Sequence, residues 1–401
     1  MRVNRGFTLV ELLTGIAVSS IILVAIAAAV IGISGSYSNE SQTRSAVEGG
    51  RTALAFIERN LKLAGYGIEP QYAFDVGVVP GFSSQGKDNY GIPAPVTPNQ
   101  TPLPVPVSSG YLTDDLAFRY RDPYFVRRGT ASATESGFAT SEPLGRGFPR
   151  GTAFIIACPG GGQRSWFRST ADVAPADSSV PLAAYGSGQN AAPVMALDCI
   201  GQGGLDGPYL MHLREFRFRV FQDNNRAFLG FVPNLSTSVS AFPANGEVLA
   251  ADVEEFQLSY VMNRPFPTSA HVGLAAPDTG GNWIMADQPG ETGNATLPSI
   301  IDPMPKLDDP YESANRYNRH PANIRAVQVS FSVRSARKRA SKGEGYIRGA
   351  VENGPSGGTA GDGYFRSWMS SSVRTANMTS RAFFLPPLTE MGTPNGNNDG
   401  A

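Results

Sequence analysis

The sequence predicts an α+β protein in which a long N-terminal α-helix, hydrophobic in its first half, packs on a mostly antiparallel β-sheet head with long loops. The first observation is an apolar run at residues 7–33, whose only charged residue is Glu11. The second is a heptad-spaced apolar stripe that continues this run, and the third is a set of alternating segments farther along the chain. The 45 glycines and 31 prolines supply the long connections between those segments.

The apolar run is long enough to cross a membrane. At about 1.5 Å per residue, its 27 residues make a helix of roughly 40 Å, against a hydrocarbon core of about 30 Å. Arg2 and Arg5 precede the run, and the next basic residue is Arg44. This charge bias predicts a single-pass membrane protein with its N-terminus in the cytoplasm and its remaining residues across the membrane.

Glu11 is the unusual residue of this segment, because a carboxylate inside a membrane helix costs about 2–3 kcal/mol. A free α-amino group would be a natural partner, and a cut between Gly6 and Phe7 would create one at the membrane edge. An ordinary secretory signal is the alternative, since Ala25–Ala27 and Ala27–Ala29 imitate small-residue cleavage sites. A plain membrane anchor is a third interpretation.

The helix is expected to continue beyond the membrane to residue 65. We expect bending or local melting at Ile33–Ser36, where Gly35 costs about 1 kcal/mol relative to alanine. Gly65 and Gly67 are a good C-terminal stop. The intervening stripe occupies positions a and d of a heptad repeat: Val47, Leu54 and Leu61 in one set and Gly50, Ile57 and Ala64 in the other.

The head is predicted to occupy residues 66–390 and to be followed by a flexible tail at 391–401. Its candidate strands lie at Leu116–Tyr120, Ala153–Cys158, Arg164–Phe167, Tyr209–Phe221, Val248–Met262, Ile324–Arg334 and Tyr364–Asn377, where the last includes a turn or a second strand. In Tyr209–Phe221 one face carries Leu210, His212, Phe216, Phe218 and Val220 and is mainly apolar, whereas the other carries Arg217, Arg219 and Phe221 and is mainly basic. That pattern favours a sheet with one wetted side.

The chain has two cysteines, Cys158 and Cys199. The predicted topology places them in an oxidising compartment, where a disulfide is expected, and two separate buried thiols are the alternative. A bridge closing a loop of this length would stabilise the fold by roughly 4 kcal/mol in the chain-entropy model.

The sequence shows no catalytic or metal-binding pattern, so neither an enzyme nor a cofactor is expected. His212 is interpreted as a satisfied core histidine. Two acidic groups could bind calcium, although solvated loops are favoured: Asp252, Glu254 and Glu255, and Asp302, Asp308 and Asp309. One basic cluster could contact nucleic acid, although a solvated loop is again the default: Arg334, Arg337, Lys338, Arg339 and Lys342.

The N-terminus resembles the class III signal of type IV pilins and type II secretion pseudopilins. The resemblance rests on a short basic leader, residues 1–6, that ends in Gly6 and precedes Phe-Thr-Leu-Val-Glu-Leu-Leu. It implies that a prepilin peptidase cleaves after Gly6 and that Phe7 is methylated. It also implies that the chain lies in the inner membrane, with its head in the periplasm, before it enters the filament. It further implies that Glu11 neutralises the N-terminus of a neighbouring subunit during filament assembly.

Two later segments, at Val253–Tyr260 and Ile324–Ser335, resemble strands of PilW-type minor pilins and J-type minor pseudopilins. A third segment, at 366–378, resembles the closing segment of that family weakly. The resemblance implies a minor type IV pilin that joins other minor pilins and the major pilin, primes pilus assembly and ends at the pilus tip. It also connects the chain with adhesion and twitching motility. The alternatives are a J-type pseudopilin and a tip adhesin or DNA-binding pilin, whose head would contact a surface ligand or nucleic acid.

Overall fold

A computed structural model describes residues 8–74, 114–159, 163–185, 197–223, 226–232, 246–262, 284–285, 324–336 and 364–379. Helix α1 is Leu9–Leu61 and the short helix α2 is Pro70–Ala73. Helix α1 runs through Ile33–Ser36 without interruption, so the expected melting there is wrong. The cost of one glycine is local, whereas helix propagation from both sides is cooperative.

Twelve strands lie within the described ranges. They are β1 Asp115–Arg128, β2 Gly137–Ala139, β3 Ala153–Ala157, β4 Arg164–Ser169, β5 Ser179–Ala184, β6 Tyr209–Asp223, β7 Arg226–Val232, β8 Glu247–Ala251, β9 Val253–Met262, β10 Ile284–Met285, β11 Ile324–Arg334 and β12 Arg366–Arg374. A 3-10 turn at Ala376–Thr379 follows β12, so the segment at 364–377 is a strand and a turn. The long helix and the antiparallel strands confirm the predicted α+β class.

The first sheet has the strand order β2-β5-β4-β3-β6-β7-β8, and β1 also pairs with β6. Strand β6 is the centre of this sheet, because β3 and β7 share one of its edges and β1 takes the other. All of these pairs are antiparallel.

The second sheet has the order β10-β9-β11-β12 and is also antiparallel. The chain enters it from the first sheet at Asp252, whose φ of 56° separates β8 from β9. An aspartate tolerates this left-handed conformation better than most residues. The segment at 248–262, where the sequence allows either strand or a short turn at 252–256, is therefore divided between two sheets.

The largest core lies between the second half of α1 and the two sheets. The predicted stripe faces it, since Gly50, Ile57, Leu61 and Ala64 are buried and Val47 and Leu54 pack at its margin. A second core lies within the first sheet and includes Phe125, Phe148 and Phe154.

The prediction of a wetted face on β6 is wrong. Arg217 and Arg219 are buried, as are Glu215 and Phe221 on the same face. The guanidinium of Arg219 lies 5.4 Å from the ring centroid of Phe221. The charged face of β6 is therefore covered in the folded head, and Glu215 on this face is paired with Arg119 and Arg168.

Candidate functional site

Helix α1 begins with a reciprocal cap between Thr8 and Glu11. The backbone N–H of Thr8 donates to Glu11 Oε2 at 3.0 Å, and the Thr8 hydroxyl donates to the same oxygen at 2.9 Å. In return, the Glu11 N–H donates to Thr8 Oγ1 at 3.3 Å. Glu11 therefore satisfies orphan donors of the first turn, a local role that exists without any neighbouring subunit.

The first half of α1 presents its apolar side chains to the outside. Leu9 is 74% exposed, Ile31 is 72% exposed and Ile33 is 70% exposed. In the part of the chain that the structure describes, α1 is the one helix long and apolar enough to cross a membrane. An exposed apolar surface of this size requires lipid or other apolar helices around it.

The segment after α1 fixes the helix to the head. Gly65, with φ of 79°, donates its N–H to the carbonyl of Arg119, and the N–H of Arg121 donates to the carbonyl of Tyr66. Because β1 pairs with β6 on its other side, these bonds use the opposite edge of β1. Helix α1 ends at Leu61, before the predicted stop at Gly65 and Gly67, and the turn that contains these two glycines is bound to a sheet edge.

An ion pair and two hydrogen bonds strengthen this connection. Arg164 on β4 is paired with the buried carboxylate of Glu69, just before α2. Arg119 Nη1 donates to the carbonyl of Tyr72 at 3.2 Å, and Asn377 Nδ2 donates to the carbonyl of Lys62 at 3.1 Å. Contacts from three separate parts of the head therefore hold residues 62–72.

Glu215, on β6, is the centre of a buried network. Arg168 Nη1 lies 2.8 Å from Oε2, Arg119 Nε lies 3.3 Å from Oε1, and the hydroxyl of Tyr185 donates to Oε1. Burial opposes ionisation of this carboxyl group, but the two guanidinium groups and the hydrogen bonds outweigh it and lower its pKa. The Glu215 carboxylate is therefore ionised and fully paired.

Asp122 is a second buried hub. Its Oδ2 lies 2.9 Å from Arg146 Nη1, 3.2 Å from Arg214 Nε and 3.2 Å from His212 Nδ1. Its Oδ1 accepts the N–H of Tyr124 at 3.0 Å. Burial raises the pKa of Asp122, but the hydrogen bonds from His212 and Tyr124 and the charge of Arg214 hold it well below its ordinary value.

His212 agrees with its interpretation as a satisfied core histidine. The rings of Phe125, Phe148 and Phe154 surround it. Burial lowers the pKa of His212, and the hydrogen bond to Asp122 offsets only part of that effect. The neutral ring therefore donates from Nδ1 to Asp122.

Cys158 and Cys199 form a disulfide, with Cα atoms 5.6 Å apart. Both belong to the second core, and Gln163 reinforces the bridge. The Gln163 side-chain oxygen accepts the N–H of Asp198 at 2.8 Å, next to Cys199. The bridge therefore connects the end of β3 to the segment before β6.

Arg334 does not belong to an exposed basic patch. Its side chain is buried, with Nη1 3.6 Å from Glu254 Oε1 and its guanidinium 4.4 Å from the ring centroid of Tyr364. Arg366 Nε contacts the other oxygen of Glu254 at 2.5 Å. Arg334 lies in β11 and not in a solvated loop, so neither the favoured interpretation nor the phosphate alternative holds for it. Glu254 is likewise buried in β9 and paired with two arginines, so it is neither part of a solvated loop nor a free calcium ligand.

Other predicted residues lie outside the described ranges: Gly6, Phe7, Asp302, Asp308, Asp309, Arg337, Lys338, Arg339 and Lys342. Within the described ranges, no group of three or more histidine, cysteine, aspartate or glutamate side chains could hold a metal ion.

The sequence reasoning missed the Asp122 hub, because its partners come from distant segments. Arg146 is 24 positions away and His212 is 90 positions away. One signal was available in Asp122-Pro123-Tyr124, since a proline inside a strand pattern marks a bulge.

Residues 1–34 match the family model of the prokaryotic N-terminal methylation motif. No curated protein and no solved structure matches the chain. The motif belongs to proteins whose role is structural, and its class III signal implies processing by a prepilin peptidase and assembly with other pilins. Together with the exposed apolar helix that begins inside the motif, this match supports a type IV pilin-like protein, anchored in a membrane by α1.

Proposed function

We propose that this chain is a minor type IV pilin of the PilW type. It joins other minor pilins in a complex that primes assembly of the major pilin into a filament, and it remains at the filament tip. The observation that carries the proposal is the exposed apolar half of α1, which begins at Leu9 and continues without a break into the head. Such a helix can leave lipid for a bundle of similar helices without exposing apolar surface to water.

Glu11 has two roles in this proposal. Its Oε2 completes the cap of its own helix with Thr8, and within residues 8–74 its Oε1 receives no hydrogen bond. The carboxylate is thus available to the ammonium group that cleavage after Gly6 would create on Phe7 of a neighbouring subunit. An unpaired carboxylate and an unpaired ammonium are each costly to bury, and pairing offsets part of the cost of both.

Two substitutions separate these roles. Glu11→Gln retains an oxygen that accepts the Thr8 N–H and removes the charge, whereas Glu11→Ala removes both. We expect both variants to enter the membrane and both to be lost from sheared filaments, as measured by immunoblotting of membrane and filament fractions. Normal incorporation of Glu11→Gln would refute the charge-pairing role and leave only the cap.

A further inference from the structure

Tyr124 is an aromatic side chain that the head holds almost entirely in solvent. It is 94% exposed, compared with 52% for Leu205, 53% for Val248 and 43% for Trp368, the other large exposed apolar residues in the described parts of the head. Tyrosine is strongly enriched where proteins bind proteins, because its ring offers a large contact area at a small entropic cost.

A bulge in β1 projects this side chain. Pairing with β6 is regular up to Arg121 and resumes at Val126, so the four residues between them face the single residue His212. Bulges bend a strand and redirect a side chain, and they are frequent beside functional sites.

Hydrogen bonds and ion pairs of Asp122 hold the bulge in place. The Asp122 carboxylate, itself buried, accepts the N–H of Tyr124 with one oxygen and is bound through the other by Arg146, Arg214 and His212. Pro123 fixes a further backbone angle between anchor and tyrosine. The ring is therefore presented on an ordered support, which reduces the entropy lost when a partner binds it.

The surroundings of Tyr124 indicate the chemistry of the partner. The side chains of Arg146 and Arg214 are 45% and 37% exposed, and Asp122 neutralises one of their two charges, so these three side chains carry a net charge of +1 beside a neutral His212. The part-exposed Arg127 adds a second positive charge near Gly145, so the surroundings of Tyr124 are cationic and favour a partner surface that carries carboxylates. A projecting ring also supplies no pocket for a small ligand, so the partner must supply the cavity.

We propose that Tyr124 is a docking residue that inserts into an apolar pocket rimmed by carboxylates on a neighbouring pilin-like subunit. The identity of the partner rests on the proposed function. The exposure of Tyr124, the bulge that holds it and the positive charge around it do not. The partner's carboxylates would face the exposed edges of Arg146 and Arg214.

The first experiment places a photoreactive phenylalanine analogue at position 124 of the full chain in the producing cell, with Leu205 as the control position. We expect a discrete adduct at 124 with one pilin-like subunit, mapped by mass spectrometry to an apolar pocket beside acidic residues, and no such adduct at 205. No protein adduct at 124, or an adduct with nucleic acid, with lipid or with a second copy of this chain, would overturn the inference.

The second experiment measures binding of the captured subunit to the full chain in detergent. Tyr124→Ala should weaken binding by about 30-fold or more, Tyr124→Phe should largely retain it, and Leu205→Ala should leave it unchanged. The melting temperature should not change, because the side chain contacts so little of the head. Equal affinity of Tyr124→Ala and the unmodified chain, or affinity that does not fall as salt rises, would overturn the inference.

Filament incorporation of the unmodified chain is scored in the same cells. If the chain enters filaments but position 124 gives no subunit adduct, the docking inference fails and the proposed function stands. If the chain never enters filaments, the proposed function fails. The docking inference then stands only if the subunit captured at position 124 carries a pilin-type N-terminal helix, and it fails otherwise.

Discussion

Replacing Gly50 by valine tests how closely the second half of α1 packs on the second sheet. A Cβ atom at Gly50 would lie 2.5 Å from both Cε and Sδ of Met369 and 3.1 Å from Cγ2 of Val333. The Met369 side chain can move, but Val333 lies on a buried strand and cannot move away easily. Gly49 is the matched control, because a Cβ atom there meets nothing within 4 Å.

The expected size of the effect follows from the difference between the two sites. Valine at either glycine changes helix propensity by the same few tenths of a kcal/mol, so that contribution cancels. Overpacking at Gly50 remains, at roughly 1–3 kcal/mol. This is a large part of the ~5–15 kcal/mol by which a typical domain is stable.

The assay is equilibrium urea unfolding of the full chain in detergent, followed by tryptophan fluorescence, to which the buried Trp166 contributes. Gly50→Val should unfold at a lower urea midpoint than Gly49→Val, with an unchanged slope. Equal midpoints for the two variants would refute the close contact between α1 and the strands that carry Met369 and Val333.

Two further predictions concern the head. The pKa of Asp122 is lowered by folding, so its contribution to the free energy of unfolding is complete above its unfolded value near 3.8 and is lost as pH falls toward its folded value. Asp122→Asn should therefore destabilise the head by a few kcal/mol at pH 7. When the pH is lowered below 4, calorimetry should show a smaller further loss of stability in the variant than in the unmodified protein. The same loss in both proteins would contradict this prediction. Replacing Cys158 and Cys199 together by serine should cost about 2–5 kcal/mol, measured as a lower thermal midpoint, and an unchanged midpoint would refute a stabilising bridge.

Local patterns were sufficient for much of the fold. The stripe through Ile57 and Leu61 and the alternation in Ile324–Arg334 each depend on spacing within one segment, and the structure places both as predicted. The stop at Gly65 was less accurate, because α1 already ends at Leu61. The bond between Cys158 and Cys199 followed from compartment and from the absence of any other cysteine.

The errors came from long-range contacts. Alternation indicated that Arg217 and Arg219 share a face, but it could not show that neighbours cover that face. Arg334 was assigned to a basic cluster by sequence proximity, whereas its partner Glu254 lies 80 positions away. Buried ion pairs form between distant segments, so spacing along one segment carries no signal for them.

N-terminal mass spectrometry of the protein isolated from membranes and from sheared filaments tests the central claim most directly. The account predicts a chain that begins with N-methylated Phe7, followed by Thr8 and Leu9, in both fractions. A chain that retains Met1, or one cut after Ala27 or Ala29, would contradict it, since Glu11 would then have no processed N-terminus beside it or would itself be removed.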